Sequence, residues 1–395
     1  MSLRILHVIS GIDPANGGPT QALLGLTAAQ VRQGMDVTVA ATWQQTAGRD
    51  NAQAFRREGV SVRMIGPALG ALSRHPEIKP VLRKLIAASD VVHIHALWEE
   101  IQHQAARIRQ QADKPYLIRP CGGLHPWSMA RGRLKKRLYL ALRLERNLQR
   151  AAAMHYTTKA ERDAVAPFKL TAPSIVEPNG VDLREFAAVT RAQGRAFLAE
   201  LLASRHITLG ERKVVIFLGR LHPKKGLDVL VPAFIEAVRD SDRDALLLLA
   251  GPVQDSATAE FIHRTAAYAG MEQRIPVPGM LSRARRVLAL AGADLFALTS
   301  YTENFGVSVV ESLAAGCPVL ISQGVEVQEQ IAGGGVGEVL ALDRAVIADA
   351  LRRWLDDNAL RQAAAQKARP FAAHNFDWNQ IAARWREHYS RLLGK

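Results

Sequence analysis

Apolar residues in this chain follow two alternating rhythms. Short runs rich in Val, Ile and Leu occur at 4–9, 36–41, 60–65, 91–94 and 116–119, with the length and continuous apolar character of strands buried on both faces. Between them, stretches such as 19–33, 80–88 and 101–111 place apolar positions three and four apart, the spacing of helices packed on one side. Strand and helix alternating in this way predict βαβ units and a mostly parallel, doubly wound sheet. The rhythm restarts at 213–218 and continues through 246–250, 294–298 and 318–321, so two such sheets are expected. The break falls at Glu177-Pro178-Asn179-Gly180-Val181-Asp182, where Pro and Asn-Gly mark a turn, and a charged helical stretch at 190–204 leads into the second sheet. The expected domains are 1–180, 181–372 and a closing helical segment, 373–395. In that segment Trp378, Ile381, Trp385, Tyr389 and Leu392 form a stripe read as core packing.

Composition narrows the class. With 395 residues, 48% hydrophobic and 22% charged, the chain has the make-up of a two-domain globular protein and not of a fibrous or disordered one. Lys and Arg total 51 against 37 Asp and Glu, a formal charge of +14, which calls for an anionic partner: nucleic acid, a membrane surface or a phosphorylated substrate. Two cysteines, Cys121 and Cys317, make no disulfide framework and fit a reducing cytosol. The N-terminus enters a strand pattern at once, without the apolar core and cleavage site of a signal peptide. No run approaches the roughly 18 apolar residues of a membrane span. A cytoplasmic protein, touching a membrane only at its surface if at all, is expected.

Open parallel sheets bind ligands at the carboxyl ends of their strands, so the loops there carry the candidate chemistry. After the first strand, Gly17 and Gly18 precede a helix and allow backbone to approach an anion, although the spacing is neither G-x-G-x-x-G nor Walker A. After 213–218, the loop Gly219-Arg220-Leu221-His222-Pro223-Lys224-Lys225-Gly226 gathers cations suited to a diphosphate; a solvated basic loop explains it equally well. After 294–298 comes Thr299-Ser300-Tyr301-Thr302-Glu303-Asn304-Phe305-Gly306, then a helix carrying Glu311 among apolar neighbours. A loop carboxylate accepts hydrogen bonds from sugar hydroxyls, and N–H groups at a helix start meet phosphate oxygens. His93 and His95 point to one side of a strand; their spacing can bind metal, but no third ligand is evident along the sequence, and a cleft-lining or structural role is expected.

Taken together, Gly219-Arg220 with Lys225-Gly226, and Glu303-Asn304-Phe305-Gly306 through Glu311-Ser312-Leu313-Ala314-Ala315-Gly316-Cys317-Pro318-Val319, closely resemble glycosyltransferase family 4. The resemblance implies an α/β GT-B fold: two Rossmann-like doubly wound domains facing a cleft, with the C-terminal helix crossing back to the first. It implies a retaining enzyme using a nucleotide-diphosphate sugar, with no cofactor and no divalent metal, since Arg220 and Lys225 supply the positive charge. Residue by residue, Arg220 and Lys225 would hold the donor diphosphate, Glu303 the hydroxyls of the transferred sugar with the backbone of Asn304, Phe305 and Gly306, and Glu311 the ribose. The stretch containing Met280 and Leu281 would contact the base, and Gly17 and Gly18 would face the diphosphate from the other domain. His95, Trp98, Cys121 and His125 stand on the acceptor side. One departure matters: where many relatives have His-Gly, this chain has Cys121-Gly122, and His125 falls four residues later. His125 is read as lining the acceptor site, and is carried among the catalytic candidates with Arg220, Lys225 and Glu303; exposure without a role is the alternative. A glycan or lipid-linked acceptor in cell-surface polysaccharide or lipopolysaccharide synthesis is the implied setting.

The segment 131–150 holds eight Lys and Arg against one acid, Glu145, with Leu134, Leu138, Leu142, Leu144 and Leu148 at helical spacing. It reads either as an amphipathic helix on anionic lipid, on the inner face of the plasma membrane, or as a core helix with a basic outer face. Nucleic acid is not expected, because little aromatic interleaving accompanies the basic residues. A non-catalytic sugar-nucleotide or nucleic-acid binding protein is the alternative reading, and an epimerase on the same architecture a more remote one.

Overall fold

A computed structural model describes residues 2–14, 18–112, 114–130, 132–239 and 241–394. The strands are β1 (Arg4–Ile9), β2 (Asp36–Thr42), β3 (Ser61–Ile65), β4 (Val91–His95), β5 (Tyr116–Arg119), β6 (Ala153–Tyr156), β7 (Ser174–Val176), β8 (Lys213–Leu218), β9 (Ala245–Ala250), β10 (Leu295–Leu298), β11 (Val319–Ser322) and β12 (Gly337–Leu340). They form two parallel sheets, ordered β3-β2-β1-β4-β5-β6-β7 and β12-β11-β10-β8-β9. The central strands are buried along nearly their whole length, β4 and β10 without interruption. Helices cover such sheets on both faces, which is why these strands read as unbroken apolar runs.

The chain divides into two compact units, Met1–Gly180 with Trp378–Lys395, and Val181–Asp377. The boundary expected at 372 shifts to Asp377, because helix Asn358–Phe376 continues past it and buries Ala364, Ala368, Ala372 and Phe376 in the second unit's core. Two residues after Phe376, Trp378 lies in a core of the first unit. Helix Trp378–Leu392 therefore packs with the N-terminal sheet. It docks against helix Gly18–Arg32 at Gly25, where a Cβ would stand 2.1 Å from the Trp378 indole nitrogen. Nothing larger than hydrogen fits there.

Polar groups fasten the same helix. His155 Nε2 contacts the Glu177 carbonyl at 3.0 Å, and a carbonyl only accepts, so that nitrogen carries the proton. His155 Nδ1 must then accept from His93 Nε2 (3.1 Å), and His93 Nδ1 from the Tyr389 hydroxyl (2.9 Å). Tyr389 in turn accepts from the Gln30 amide (3.2 Å), whose oxygen accepts from His7 Nε2 (2.8 Å). His7 Nδ1 is left to accept from His95 Nε2 (2.8 Å). One carbonyl thus sets the direction of a six-bond chain that joins β1, β4, β6, helix Gly18–Arg32 and helix Trp378–Leu392. Outside it, Arg384 and His388 bind the Glu177 carboxylate at 2.9 and 3.1 Å.

His7 supplies the third partner that sequence alone did not reveal for His93 and His95, since β1 and β4 align His7 with His93. Ligand atoms of the three lie within 4.8 Å of one another, a spacing that could hold a metal ion. Both nitrogens of His7 and of His93 are already engaged in the chain. Hydrogen bonds link the three rings to one another and to their neighbours.

This chain works only with neutral rings. Burial holds His7 down to about 4, and His93, His95 and His155 well below the ordinary value of about 6.5. Above pH ~6.5 these histidines are neutral whether folded or unfolded; below it only the unfolded chain takes up their protons. Stability is therefore expected to fall as pH drops below ~6.5, by up to roughly 1.4 kcal/mol per pH unit for each histidine until its folded value is reached. Urea unfolding at pH 7.5 and pH 5.5 checks this; an unchanged midpoint would contradict it.

Candidate functional site

In the second unit, β8 is followed outward by β9 on one side, while β10, β11 and β12 continue on the other. The strand order reverses between β8 and β10, where open α/β sheets form a ligand crevice at the carboxyl end. The loops leaving these two strands meet there. Gly226 has φ +64 and lies so close to the Thr299 carbonyl that a Cβ would stand 1.9 Å from its oxygen. The Thr299 hydroxyl donates to the Gly226 carbonyl at 3.0 Å, and the Tyr301 amide to the Lys224 carbonyl at 3.0 Å. This backbone contact brings the Lys225 ammonium onto the Glu303 carboxylate, both largely shielded from water. The predicted loops are thus joined directly.

Further cations crowd that pair. Arg220 is exposed, and Lys224 is half-buried with its pKa lowered, first by burial and then by Lys225 and Arg220 despite the Glu303 and Glu326 carboxylates. Crowded ammonium and guanidinium groups held at a strand end stabilise an arriving anion. The Glu303 loop is itself anchored: its amide donates to the Gly324 carbonyl (2.8 Å), and its carbonyl accepts from the Glu326 amide (3.0 Å). The Tyr301 hydroxyl donates to Asp228 at 2.7 Å.

Helix Val307–Ala315 begins at Gly306, so its first-turn N–H groups start beside the Glu303 loop. Phe305 is buried and packs edge-to-face on Phe376, which leaves its backbone as the part able to meet a ligand. Asn304 lies between them in the same loop. Glu311 faces Arg286 at 3.4 Å; burial raises its pKa while Arg286 and Arg283 oppose the shift. The apolar neighbourhood of Glu311 is therefore relieved by an arginine that sequence reasoning missed. Its only signal was the run Arg283-Ala284-Arg285-Arg286 opening a helix.

Met280 is exposed and Leu281 buried, and the Gly279 carbonyl accepts from the Gly251 amide at the end of β9, so this stretch also lies at the carboxyl edge. The Asp-x-Asp spacings in the chain, within Asp240-Ser241-Asp242-Arg243-Asp244, precede β9 at the amino edge; Asp240 lies outside the described residues. They are remote from the loops just described.

In the first unit, Gly18 opens helix Gly18–Arg32 and is exposed, while Gly17 lies outside the described residues. His95 is buried and bonded into the histidine chain, which removes it from an open acceptor surface. Trp98 is partly exposed, edge-to-face with Tyr139, and Lys136 lies over its ring. Cys121 is partly exposed at φ +52, and burial raises its thiol pKa. His125 is partly exposed and its Nδ1 accepts from the Trp127 amide at 3.3 Å, leaving Nε2 as the protonated nitrogen of the neutral ring. Trp98, Cys121 and His125 belong to loops leaving the adjacent strands β4 and β5.

Residues 17–205 match the Glycosyl transferase 4-like domain and residues 203–371 the Glycosyl transferases group 1 family. The D-inositol 3-phosphate glycosyltransferase of Corynebacterium efficiens is 35% identical over 181 residues, 45% of this chain and 42% of that protein. The phosphatidyl-myo-inositol mannosyltransferase of Mycobacterium tuberculosis H37Rv is 29% identical over 226 residues, 55% of this chain and 54% of that protein. The chain spans about half the length of the curated relatives it matches. In fold it is similar to Anabaena Alr3699/HepE, solved with UDP and glucose, at a TM-score of 0.77 and 20% identity over 98% of this chain and 100% of that one. WaaG, a glycosyltransferase involved in lipopolysaccharide biosynthesis, gives 0.70 and 17% over 99% and 100%. With both halves of the chain matched to glycosyltransferase families and both sheets arranged as in these structures, the protein belongs to the family 4-type glycosyltransferases of GT-B fold.

Proposed function

We propose that the protein is a retaining, metal-independent glycosyltransferase that moves a sugar from a nucleotide-diphosphate donor to an acceptor hydroxyl. The observation that carries this reading is the Lys225–Glu303 pair, set with Arg220 and Lys224 where the strand order of the second sheet reverses. Breaking the bond between the anomeric carbon and the diphosphate oxygen leaves negative charge on the departing phosphate and positive charge on the sugar. Arg220, Lys225 and the first amides of helix Val307–Ala315 would stabilise the first of these before the reaction begins. Glu303, already oriented by Lys225, would accept from sugar hydroxyls, and Glu311 from the ribose. The acceptor oxygen would bond to the anomeric carbon from the leaving-group side, and the phosphate would take its proton. No protein nucleophile is then needed, and His125 would orient the acceptor.

Acceptor class is narrowed by two features. Relatives named for inositol phosphate and phosphatidylinositol substrates support an anionic polyol headgroup, with a lipid-linked glycan of the cell surface as the alternative. The basic helical segment supports a membrane setting. Leu134, Leu138 and Leu142 project from it at 82, 60 and 73% exposure, each one turn from the next, among exposed Arg133, Lys135 and Arg137. Leu144 and Leu148, in contrast, are buried, so the core reading holds for the distal leucines only; Arg131 lies outside the described residues. Three exposed leucines flanked by cations suit an anionic bilayer surface. No described helix is long and apolar enough to cross a membrane.

Calorimetry with free nucleoside diphosphates and their sugars tests the donor site. Lys225→Ala is expected to weaken both by roughly 10- to 100-fold, as for loss of a charged hydrogen bond. Glu303→Ala should weaken only the intact sugar, because it frees Lys225 for phosphate. Equal affinities for all three proteins would sink the assignment. Sedimentation with phosphatidylglycerol vesicles tests the surface: Leu134→Gln/Leu138→Gln/Leu142→Gln should release the protein, and unchanged co-sedimentation would assign binding elsewhere.

A further inference from the structure

The turn leaving β5 holds one residue, Cys121, in a conformation that it does not favour. Cys121 has φ +52 and Gly122 φ +71, and a non-glycine residue in that region costs about 1 kcal/mol or more. What holds it is a carboxylate from elsewhere in the first unit. Glu161, 1% exposed, accepts from the Gly122 amide at 2.8 Å on one oxygen, and from the Thr157 amide (2.8 Å) and hydroxyl (3.0 Å) on the other. Its own amide is fixed by the Thr158 hydroxyl at 2.9 Å, which caps helix Lys159–Val165. Among the described residues no Lys or Arg reaches this carboxylate. The Gly122 carbonyl then accepts from the His125 amide at 3.2 Å, so a single residue separates the carboxylate's grip from the backbone of His125.

We propose that Glu161 is a positioning residue for glycosyl transfer: by gripping the Gly122 amide it sets the turn that presents Cys121 and His125 to the acceptor. The role rests on the transferase reading above. Chemistry restricts it to glutamate. Both oxygens face backbone N–H donors, so Gln would turn its NH₂ against one of them, and Asp is one methylene too short to span both loops. Loss of the grip leaves the strained turn free to relax, and His125 with it.

The chain carries its own reporter. Cys121 is partly exposed in the turn, whereas Cys317 is buried in the second unit's core. Reaction with a thiol-specific disulfide reagent at pH 8 in native buffer therefore counts one slow thiol in the wild type. Glu161→Gln is expected to speed labelling of Cys121 at least tenfold while Cys317 stays protected. With UDP-glucose as donor and D-inositol 3-phosphate as acceptor, the same variant should raise the acceptor KM or lower kcat at least tenfold and leave UDP affinity within twofold. In a His125→Ala background the Glu161→Gln loss should shrink, since both changes act on one turn. Should Glu161→Gln fail to fold, Glu161→Asp carries the same expectations. Unchanged Cys121 labelling, simultaneous reaction of Cys317, or fully additive losses would overturn the inference. A wild type that neither binds UDP nor transfers sugar would instead overturn the transferase reading, and the positioning role with it.

Discussion

The proposed donor site depends on one close approach of backbone to backbone. Gly226 abuts the Thr299 carbonyl, and no side chain can stand between them. The loops after β8 and β10 are consequently locked together, and the charges they bear have little freedom to separate. A lysine and a glutamate on the surface would contribute little by pairing. Here they are partly desolvated and flanked by Arg220 and Lys224, so cations crowd the strand ends.

The first unit handles buried polarity in the opposite way. His7, His93, His95, His155, Gln30 and Tyr389 form one directed sequence of donors and acceptors, neutral throughout and oriented by one carbonyl. A satisfied network of this kind rigidifies what it joins, and what it joins is the sheet and the C-terminal helix. The contrast separates support from chemistry. Groups bonded to one another hold the scaffold, whereas crowded charges, or strained turns such as the one at Cys121, mark the places where a ligand is expected.

Much of this was legible in the sequence. Continuous apolar runs located nine of the twelve strands because parallel strands buried on both faces leave a dense signal. The Arg220–Gly226 and Glu303–Gly306 loops were found because glycine, cations and carboxylates cluster at strand ends. What stayed hidden was whatever depends on side chains meeting across sequence. β6, β7 and β12 are only three or four residues long, and His155 in β6 or Glu338 in β12 breaks their apolar character. His7 joined His93 only through strand register, and Arg286 met Glu311 only through helix packing. Of the five leucines read at helical spacing in the basic segment, Leu134, Leu138 and Leu142 face solvent and Leu144 and Leu148 the core, a difference set by tertiary packing.

The proposed donor-binding loops are those leaving β8 and β10 of the second unit. A crystal structure of the protein grown with millimolar UDP tests this assignment most directly. The diphosphate is expected against Arg220 and Lys225 at the carboxyl ends of these strands, with the ribose near Glu311. A nucleotide bound anywhere else, with the Lys225–Glu303 loops left out of contact with it, would contradict the account.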